Sequence, residues 1–583
     1  MLFQPQKYDP KINEYVFLKG EYIFPLSNFK PEKIEEFKLY ESTNSYKGFG
    51  SFEKEYSQLF FGRKKLIEDP KEGLLAKVKN HQITVVLGLS SSGKSSLVKA
   101  GLIPGIKQEA ETDKQQWYIL ETMRPGELSF TALATVLLPI TRGLELDSLI
   151  NKLYQDVQFL TEIIHQWSQK NPNIKLLLTI DQSEEIITLS KNDEDRENFL
   201  RLLAEALAVP EIAEILRIVM TLRSDFEPQL RDLNEHKYKD TNWQEVWQEV
   251  WQNGRFMVTP MSREELQQII EEPAAQRTLF FESSKLVNAL IDEVISTPGT
   301  LPLLSFTLSE LYLRYLKGEE NKERSDRTIT EADYQKIGGV TRSLTNRADN
   351  TYNKLKEEET VDEPTIRDVM LRMVGIRSGE LARRRVPTSE LVYPEPKNQQ
   401  AKLVIARFVK ARLLVKGRDT EGQEYVEPVH DALVKGWKQI KDWLDETQET
   451  VETVSLWNPI KKFFNRKKEH PEVEKILKVN LPLQREVNTS ANNWSHHAKE
   501  LGFLWNNDPR LDLLKQVLNS QDNWFNKVET EFVQRSIWRK TFNTRRNWSI
   551  AIAVMVGLSS LTISSLISLR NTKIEQVNNL IGS

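Results

Sequence analysis

The most constraining feature of this chain is the run Gly88-Leu89-Ser90-Ser91-Ser92-Gly93-Lys94-Ser95. Its pattern, G-x-x-x-x-G-K-S, places glycines where the backbone must wrap closely enough for N–H groups to point at phosphate oxygens. The lysine then reaches the β and γ phosphates and the serine ligates Mg²⁺. Ile83-Thr84-Val85-Val86-Leu87, just before, is apolar and β-branched like a buried parallel strand. Ser96-Leu97-Val98-Lys99-Ala100, just after, starts a helix whose N-terminal dipole strengthens an anion site. The spacing predicts a strand, a helix and a cradle between them. Gly88, Ser91, Ser92, Gly93, Lys94, Ser95 and Ser96 form that cradle, for a nucleoside triphosphate with Mg²⁺.

Two more apolar runs follow at helix-length spacing, Lys175 to Ile180 and Leu216 to Leu222. Strands alternating with helical stretches imply an α/β P-loop NTPase domain, a parallel sheet in three layers. The first run ends in Asp181, where such a fold needs a second Mg²⁺ ligand beside Ser95. Glu184 or Glu185, just beyond, can orient an attacking water; the alternative is that both cap the next helix. The second run ends in Arg223, placed to sense a γ phosphate by charge. Lys94, Asp181, Glu184, Glu185 and Arg223 are therefore the catalytic candidates.

At 583 residues the chain is long enough for several domains, at about 150 residues each. A net charge of −3 gives no general reason to expect nucleic acid as a partner. The absence of cysteine excludes disulfides and cysteine-ligated zinc, and fits a reducing compartment. The N-terminal residues carry no basic stretch followed by an apolar core, so no signal peptide is expected. No repeat of 20 to 50 residues is present.

Shifts in composition and pattern predict the domains. Residues 1–45 form an N-terminal arm, 46–255 the P-loop NTPase domain and 256–327 a helical domain. Residues 328–448 have a winged-helix outline, with β-like runs Arg412 to Val415 and Glu424 to Glu427 around the turn Gly417 to Gly422. Residues 449–547 are a helical linker region containing the basic cluster Lys461 to Lys475, and 570–583 a short tail. Trp243, Trp247 and Trp251 recur every four residues on one helix face, either as core packing or as a partner surface. Arg383, Arg384 and Arg385 form a local basic patch, read as solvated.

Trp548 to Leu569 is a run of 22 residues without a charge. It is long enough to cross the roughly 30 Å hydrocarbon layer as a helix, the alternative being a buried core helix. Arg539, Lys540, Arg545 and Arg546 precede it, against Arg570 and Lys573 after it. The positive-inside rule then keeps the N-terminal bulk cytoplasmic, on a single-pass cytoplasmic-membrane helix at 548–569.

Taken in order, these residues resemble bacterial STAND NTPases, the novel type 1 class found in many WD40-linked signalling proteins. Tyr46-Lys47-Gly48-Phe49 and Phe60-Phe61-Gly62-Arg63 stand upstream of the loop. VLGLSSSGKSSLVKAGLIPGI, LLLTIDQSEEIITL and VMTLRSDF are similar to the class's loop, acidic strand and arginine sensor. STPGTLPLLSFTLSELY, with Gly299 and Pro302, is similar to its Gly-x-x-Pro segment, and VEPVHDALVKGWKQIKDWL to its winged-helix element. Lys64 departs from the pattern, where the class often has an acid, and no WD40 repeats occur in these residues. The resemblance implies that Phe61, Gly62 and Pro302 line the adenine side, with Arg63 beside them among the nucleotide-binding candidates. It implies that His430 meets the β phosphate of ADP and holds a closed state. It also implies an ATP/ADP switch: a slow ATPase that forms a homo-oligomer when a protein or other trigger activates it. Delivery at the membrane, in antiviral defence or regulated cell death, fits the same class. The rival readings are a constitutive membrane-anchored AAA-like ATPase, a passive nucleotide-stabilised scaffold, and a membrane-tethered winged-helix DNA-binding regulator.

Overall fold

The computed structural model describes residues 4–9, 14–19, 22–25, 39–112, 115–141, 143–190, 192–235, 242–296, 299–320, 327–377, 380–418, 422–448, 481–506, 508–520 and 522–581. They fall into two compact units. One holds Met1–Asp349 with Gly417–Gln423, the other Asn350–Lys416 with Glu424–Ser583. The basic cluster Lys461 to Lys475 and Pro298 lie outside the described residues.

The first unit begins with three antiparallel strands, β1 (Gln4–Asp9), β2 (Glu14–Lys19) and β3 (Tyr22–Pro25), in the segment read as an arm. Its centre is a parallel sheet of β4 (Ile83–Gly88), β5 (Gln116–Ile119), β6 (Ile174–Ile180), β7 (Leu216–Arg223) and β8 (Arg255–Met257), in the order β5-β6-β7-β4-β8. The three apolar runs are its three central strands. Nearly every side chain of β4 and β7 is buried, as expected for strands covered on both faces. The edge strands lack this signal in the sequence. β5 is half exposed and β8 is three residues long.

The helix after the loop (α1, residues 94–112) is α-helical at Lys94–Ser96, π-helical over Leu97–Leu102 and α-helical again over Ile103–Thr112. Its buried residues Leu97, Val98, Leu102, Ile103 and Ile106 pack with Val86 and Val219 of the sheet. Burial of such side chains contributes about 1.5–3 kcal/mol each, which fixes the loop to the sheet edge. The tryptophan helix α2 (Asn242–Asn253) packs on the opposite layer. Trp247 is buried in that layer's core and its ring stacks on Trp251 at 6.3 Å. These two residues follow the packing alternative; the Trp243 side chain lies outside the described residues.

Helices α3 (Arg263–Ala275) and α4 (Leu301–Glu320) follow; β9 (Phe280–Phe281), between them, pairs in parallel with β10 (Thr328–Ile329), after α4. Residues up to Asp349 belong to this unit. The Thr307 and Ser343 hydroxyls lie 2.8 Å apart, and Arg347 pairs with Glu310 at 2.7 Å. The compact unit thus extends past residue 327, where the sequence reading placed a boundary.

The second unit pairs β11 (Val374–Arg377) with β12 (Glu380–Arg383). It also contains a three-stranded sheet of β13 (Val386–Pro387), β14 (Leu414–Arg418) and β15 (Glu424–Pro428), in the order β13-β15-β14. Arg412 has a positive φ of 58°, and β14 starts at Leu414, two residues into the run expected to be strand. Helices α5 (Glu363–Arg372), α6 (Lys397–Lys410) and α7 (Asp431–Gly436) surround these strands. The arginine patch is engaged rather than solvated. Arg383 donates to the Pro428 and Val429 carbonyls, Arg384 forks onto Glu390, and Arg385 lies over the Tyr425 ring and pairs with Glu427.

Helices α8 (Leu481–His496) and α9 (Leu511–Leu518) pack on the first turns of α10 (Lys527–Ile581). Of the described helices, α10 alone is long and apolar enough to cross a membrane, and none of its apolar window is buried. The run 548–569 is therefore a candidate span, exposed along its apolar window rather than packed within the described residues.

Candidate functional site

The strand register brings the sequence candidates of the first unit to one sheet edge. β4 ends at Gly88 opposite Arg223 of β7, and β7 lies between β4 and β6, whose C-terminal neighbour is Asp181. A Cβ on Gly88 would lie 2.6 Å from the Ser92 hydroxyl, so only glycine lets the loop close here. Ser91 and Gly93 both have positive φ, 67° and 87°. This curvature turns successive N–H groups inward. The Ser92 hydroxyl is buried and has no hydrogen-bond partner among the described residues. Lys94 is buried and its ammonium donates to the Gly88 and Leu89 carbonyls at 3.0 and 2.8 Å. Burial pushes this ammonium below its ordinary pKa, against the pull of Glu184 and with the repulsion of Arg223.

Ser95 donates to Asp181 Oδ1 at 2.7 Å. These oxygen donors, one hydroxyl and one carboxylate in contact, suit a hard cation such as Mg²⁺. The buried Ser92 hydroxyl and the inward curvature suit a phosphate. Thr221, which the sequence reading passed over, also donates to Asp181 Oδ1 at 2.7 Å and accepts the Gln182 N–H at 2.8 Å. Only its place two residues before Arg223, on the same strand face, could have marked it. The Ser96 hydroxyl accepts the Phe52 N–H at 3.0 Å and so holds the upstream segment against the loop helix.

The two glutamates differ. Glu185 is buried; its Oε1 accepts from Arg124 Nε at 2.8 Å and Nη2 at 2.5 Å, and its Oε2 accepts the Gly126 N–H at 3.1 Å. Glu184 takes the Arg223 N–H at 3.4 Å, and burial raises its carboxyl pKa above the ordinary value. The Arg223 guanidinium forks onto Asp225 at 3.1 and 2.6 Å and lies over the Phe226 ring.

On the expected base side, Gly62 has φ 78°, and a Cβ there would lie 2.7 Å from the Glu265 carbonyl oxygen of α3. The backbone at Gly62 therefore lies directly on α3, between half-buried Phe61 and buried Arg63. Arg63 donates to the Thr259 carbonyl at 2.9 Å and to Glu265 at 3.4 Å. Pro302 stands at the second position of α4, where its missing N–H costs no hydrogen bond. Its neighbour Leu301 lies 3.8 Å from where a Gly93 Cβ would stand, so α4 begins beside the loop.

His430 belongs to the second unit. It N-caps α7, with Nδ1 accepting the Ala432 N–H at 3.1 Å. Burial pushes its pKa down to about 4. The ring is thus neutral near pH 7, with its proton on Nε2.

The family description Novel STAND NTPase 1 matches residues 45–470. The solved structure of the Aeropyrum pernix ORC2 protein in ADPNP and ADP complexes is similar to the chain at 14% identity and a TM-score of 0.32. It covers 62% of this chain and 87% of its own. Drosophila ORC bound to DNA is similar at 12% identity and a TM-score of 0.31, covering 64% and 93%. No curated protein matches. The P-loop NTPase fold rests on the parallel sheet and loop described above.

Proposed function

Since the chain belongs to the Novel STAND NTPase 1 family, we propose that its first unit binds ATP or ADP with Mg²⁺ and that the bound nucleotide sets a switch. The observation that carries this is the contact of Ser95 with Asp181 beside a buried Lys94 held on the loop's own carbonyls. In this reading Lys94 neutralises the β and γ phosphates, while the loop N–H groups and the Ser92 hydroxyl take phosphate oxygens. Ser95 and Asp181 hold Mg²⁺, which supplies charge neutralisation between the phosphates. Glu184 orients water and Glu185 is a structural anchor. Arg223 leaves Asp225 to meet a γ phosphate. Phe61, Gly62, Arg63 and Pro302 bound the adenine side.

Residues 328–448 act as a winged-helix module, and neutral His430 offers Nε2–H to the β phosphate of ADP. Only a difference in affinity between two states can drive the change, and a complete switch needs about 5.5 kcal/mol of it. ATP and a trigger then favour an open, oligomeric state. That state acts through residues 548–569 at the membrane, in antiviral defence or regulated cell death. DNA binding by the winged helix is disfavoured because Arg383, Arg384 and Arg385 already have internal partners.

The test begins with the nucleotide carried by purified protein. Lys94→Ala is expected to weaken nucleotide binding about 100-fold and to abolish host-cell toxicity, as is deletion of 548–583. Rapid untriggered hydrolysis by the wild type would favour the constitutive ATPase. Full toxicity of Lys94→Ala would favour the passive scaffold.

A further inference from the structure

Lys99 lies outside the phosphate-loop pattern, yet its ammonium stands 3.3 Å from Asp181 Oδ2 and 3.1 Å from Glu53 Oε1, with its side chain 19% exposed. It sits inside the π-helical turn Leu97–Leu102. Such turns insert one residue and re-aim side chains, and they recur at functional sites. The oxygens of Asp181 are divided. Oδ1 accepts from Ser95 and Thr221, and Oδ2 faces Lys99. Glu53 is tied in place by the Ser51 hydroxyl at 2.8 Å, and its neighbour Phe52 by the Ser96 hydroxyl. Both carboxylates are thus within reach of one ammonium without movement of the backbone.

A divalent cation at Ser95 and Asp181 puts like charge beside Lys99, and repulsion in a partly desolvated site is strong. Resting on the nucleotide-site reading above, we infer that Lys99 is an internal rival of Mg²⁺. It pairs with both Asp181 and Glu53 when no metal is bound and keeps only Glu53 when metal binds. The metal site is thereby coupled to the segment leading to Phe61, Gly62 and Arg63. Lys99 acts here as a positioning residue and touches no reacting atom.

The geometry demands shifts of opposite sign at the two residues. The full chain, stripped of nucleotide and metal, is titrated with Mg²⁺ while binding of a fluorescent ADP analogue is followed. Lys99→Met is expected to lower the Mg²⁺ concentration for half-maximal binding about tenfold, within the usual range of coupling between sites. Glu53→Gln is expected to raise it about threefold, because Lys99 then keeps only Asp181. The double variant is expected to match Lys99→Met alone, and Lys99→Arg to match the wild type. Glu53 is half exposed, so Glu53→Gln tests the inference even if Lys99→Met does not fold. An unchanged midpoint in Glu53→Gln overturns it. So does a raised or unchanged midpoint in Lys99→Met, or a Glu53 effect that persists without Lys99. The site reading fails in a different way: wild-type binding would ignore Mg²⁺, or Asp181→Asn would leave the Mg²⁺ dependence unchanged.

Discussion

The phosphate loop of the first unit and the base of α10 in the second both bury a cation among acids, and they complete its hydrogen bonding differently. At the base of α10, Arg372 is wholly buried. It donates to Glu529 at 2.9 and 2.6 Å, to Glu390 at 3.3 Å, to the Tyr393 hydroxyl at 2.9 Å and to the Trp524 carbonyl at 3.0 Å. Glu529 takes further bonds from the Asn488 amide and the Asn526 N–H. In the loop, Lys94 reaches only backbone carbonyls of its own turn, the Ser92 hydroxyl has no partner among the described residues, and Glu184 accepts from backbone N–H groups, its own and that of Arg223. A buried cation whose donors are all met, as those of Arg372 are, specifies packing, whereas unmet groups among perturbed acids and bases around a loop are where a ligand completes the bonding. Family membership then says that the ligand is a nucleotide.

The largest effect should come from removing Arg372. Arg372→Ala leaves buried Glu529 without its cation while Glu390 keeps Arg384, and loss of one partner of such a group costs about 3–5 kcal/mol. Hydrogen exchange over α5 and α6 in the full chain is the measurement, since it reads local opening directly. Arg372→Met combined with Glu529→Leu should restore most of the protection, because a packed apolar pair replaces the ions. If Arg372→Ala changes protection by less than about 1 kcal/mol, the contrast between the two regions is false.

Within the loop region the same contrast separates two adjacent glutamates. Glu184→Gln should slow single-turnover ATP hydrolysis about 100-fold while nucleotide binding is kept, the usual scale for a positioned base. Glu185→Gln should change the rate little. It should instead loosen residues 124–126, because it weakens a charged bond worth about 1.5–3 kcal/mol. The opposite pattern would exchange the two roles.

The sequence left the glutamates as alternatives because the residue that separates them, Arg124, lies 61 positions upstream. What could be read directly was whatever depends on neighbours in the chain: the loop, the helix after it and the three buried strands. Thr221 and Lys99 escaped because their meaning comes from register and from a helical irregularity. The pairing of Ile180 with Met220 puts Thr221 next to Asp181, and the π turn holds Lys99. The Arg372 network was invisible for the same reason, since Glu529 is 157 residues away. β5 and β8, four and three residues long, are too short to stand out. The compact first unit extends past residue 327 through hydroxyl and ion pairs that no composition shift marks.

His430 sharpens the comparison because it is the nucleotide-site candidate carried by the second unit, and it already has a structural task as the cap of α7. Its pKa falls from 6.5 to about 4 in the folded protein because burial disfavours the charged ring. The unfolded chain therefore binds a proton that the folded chain refuses between those values. The stability contributed by the neutral ring is complete above pH 6.5 and is lost as pH falls toward 4. Hydrogen exchange of α7 should be independent of pH above 6.5 once corrected for the intrinsic rate, and should accelerate below it. His430→Ala removes the cap at a cost of about 1 kcal/mol, whereas His430→Asn keeps a capping oxygen but not the Nε2–H donor. If both variants lose the preference for ADP over ATP, the histidine acts on the nucleotide. If only His430→Ala does, its part in the switch is that of a cap, and it belongs with Arg372 among the satisfied groups.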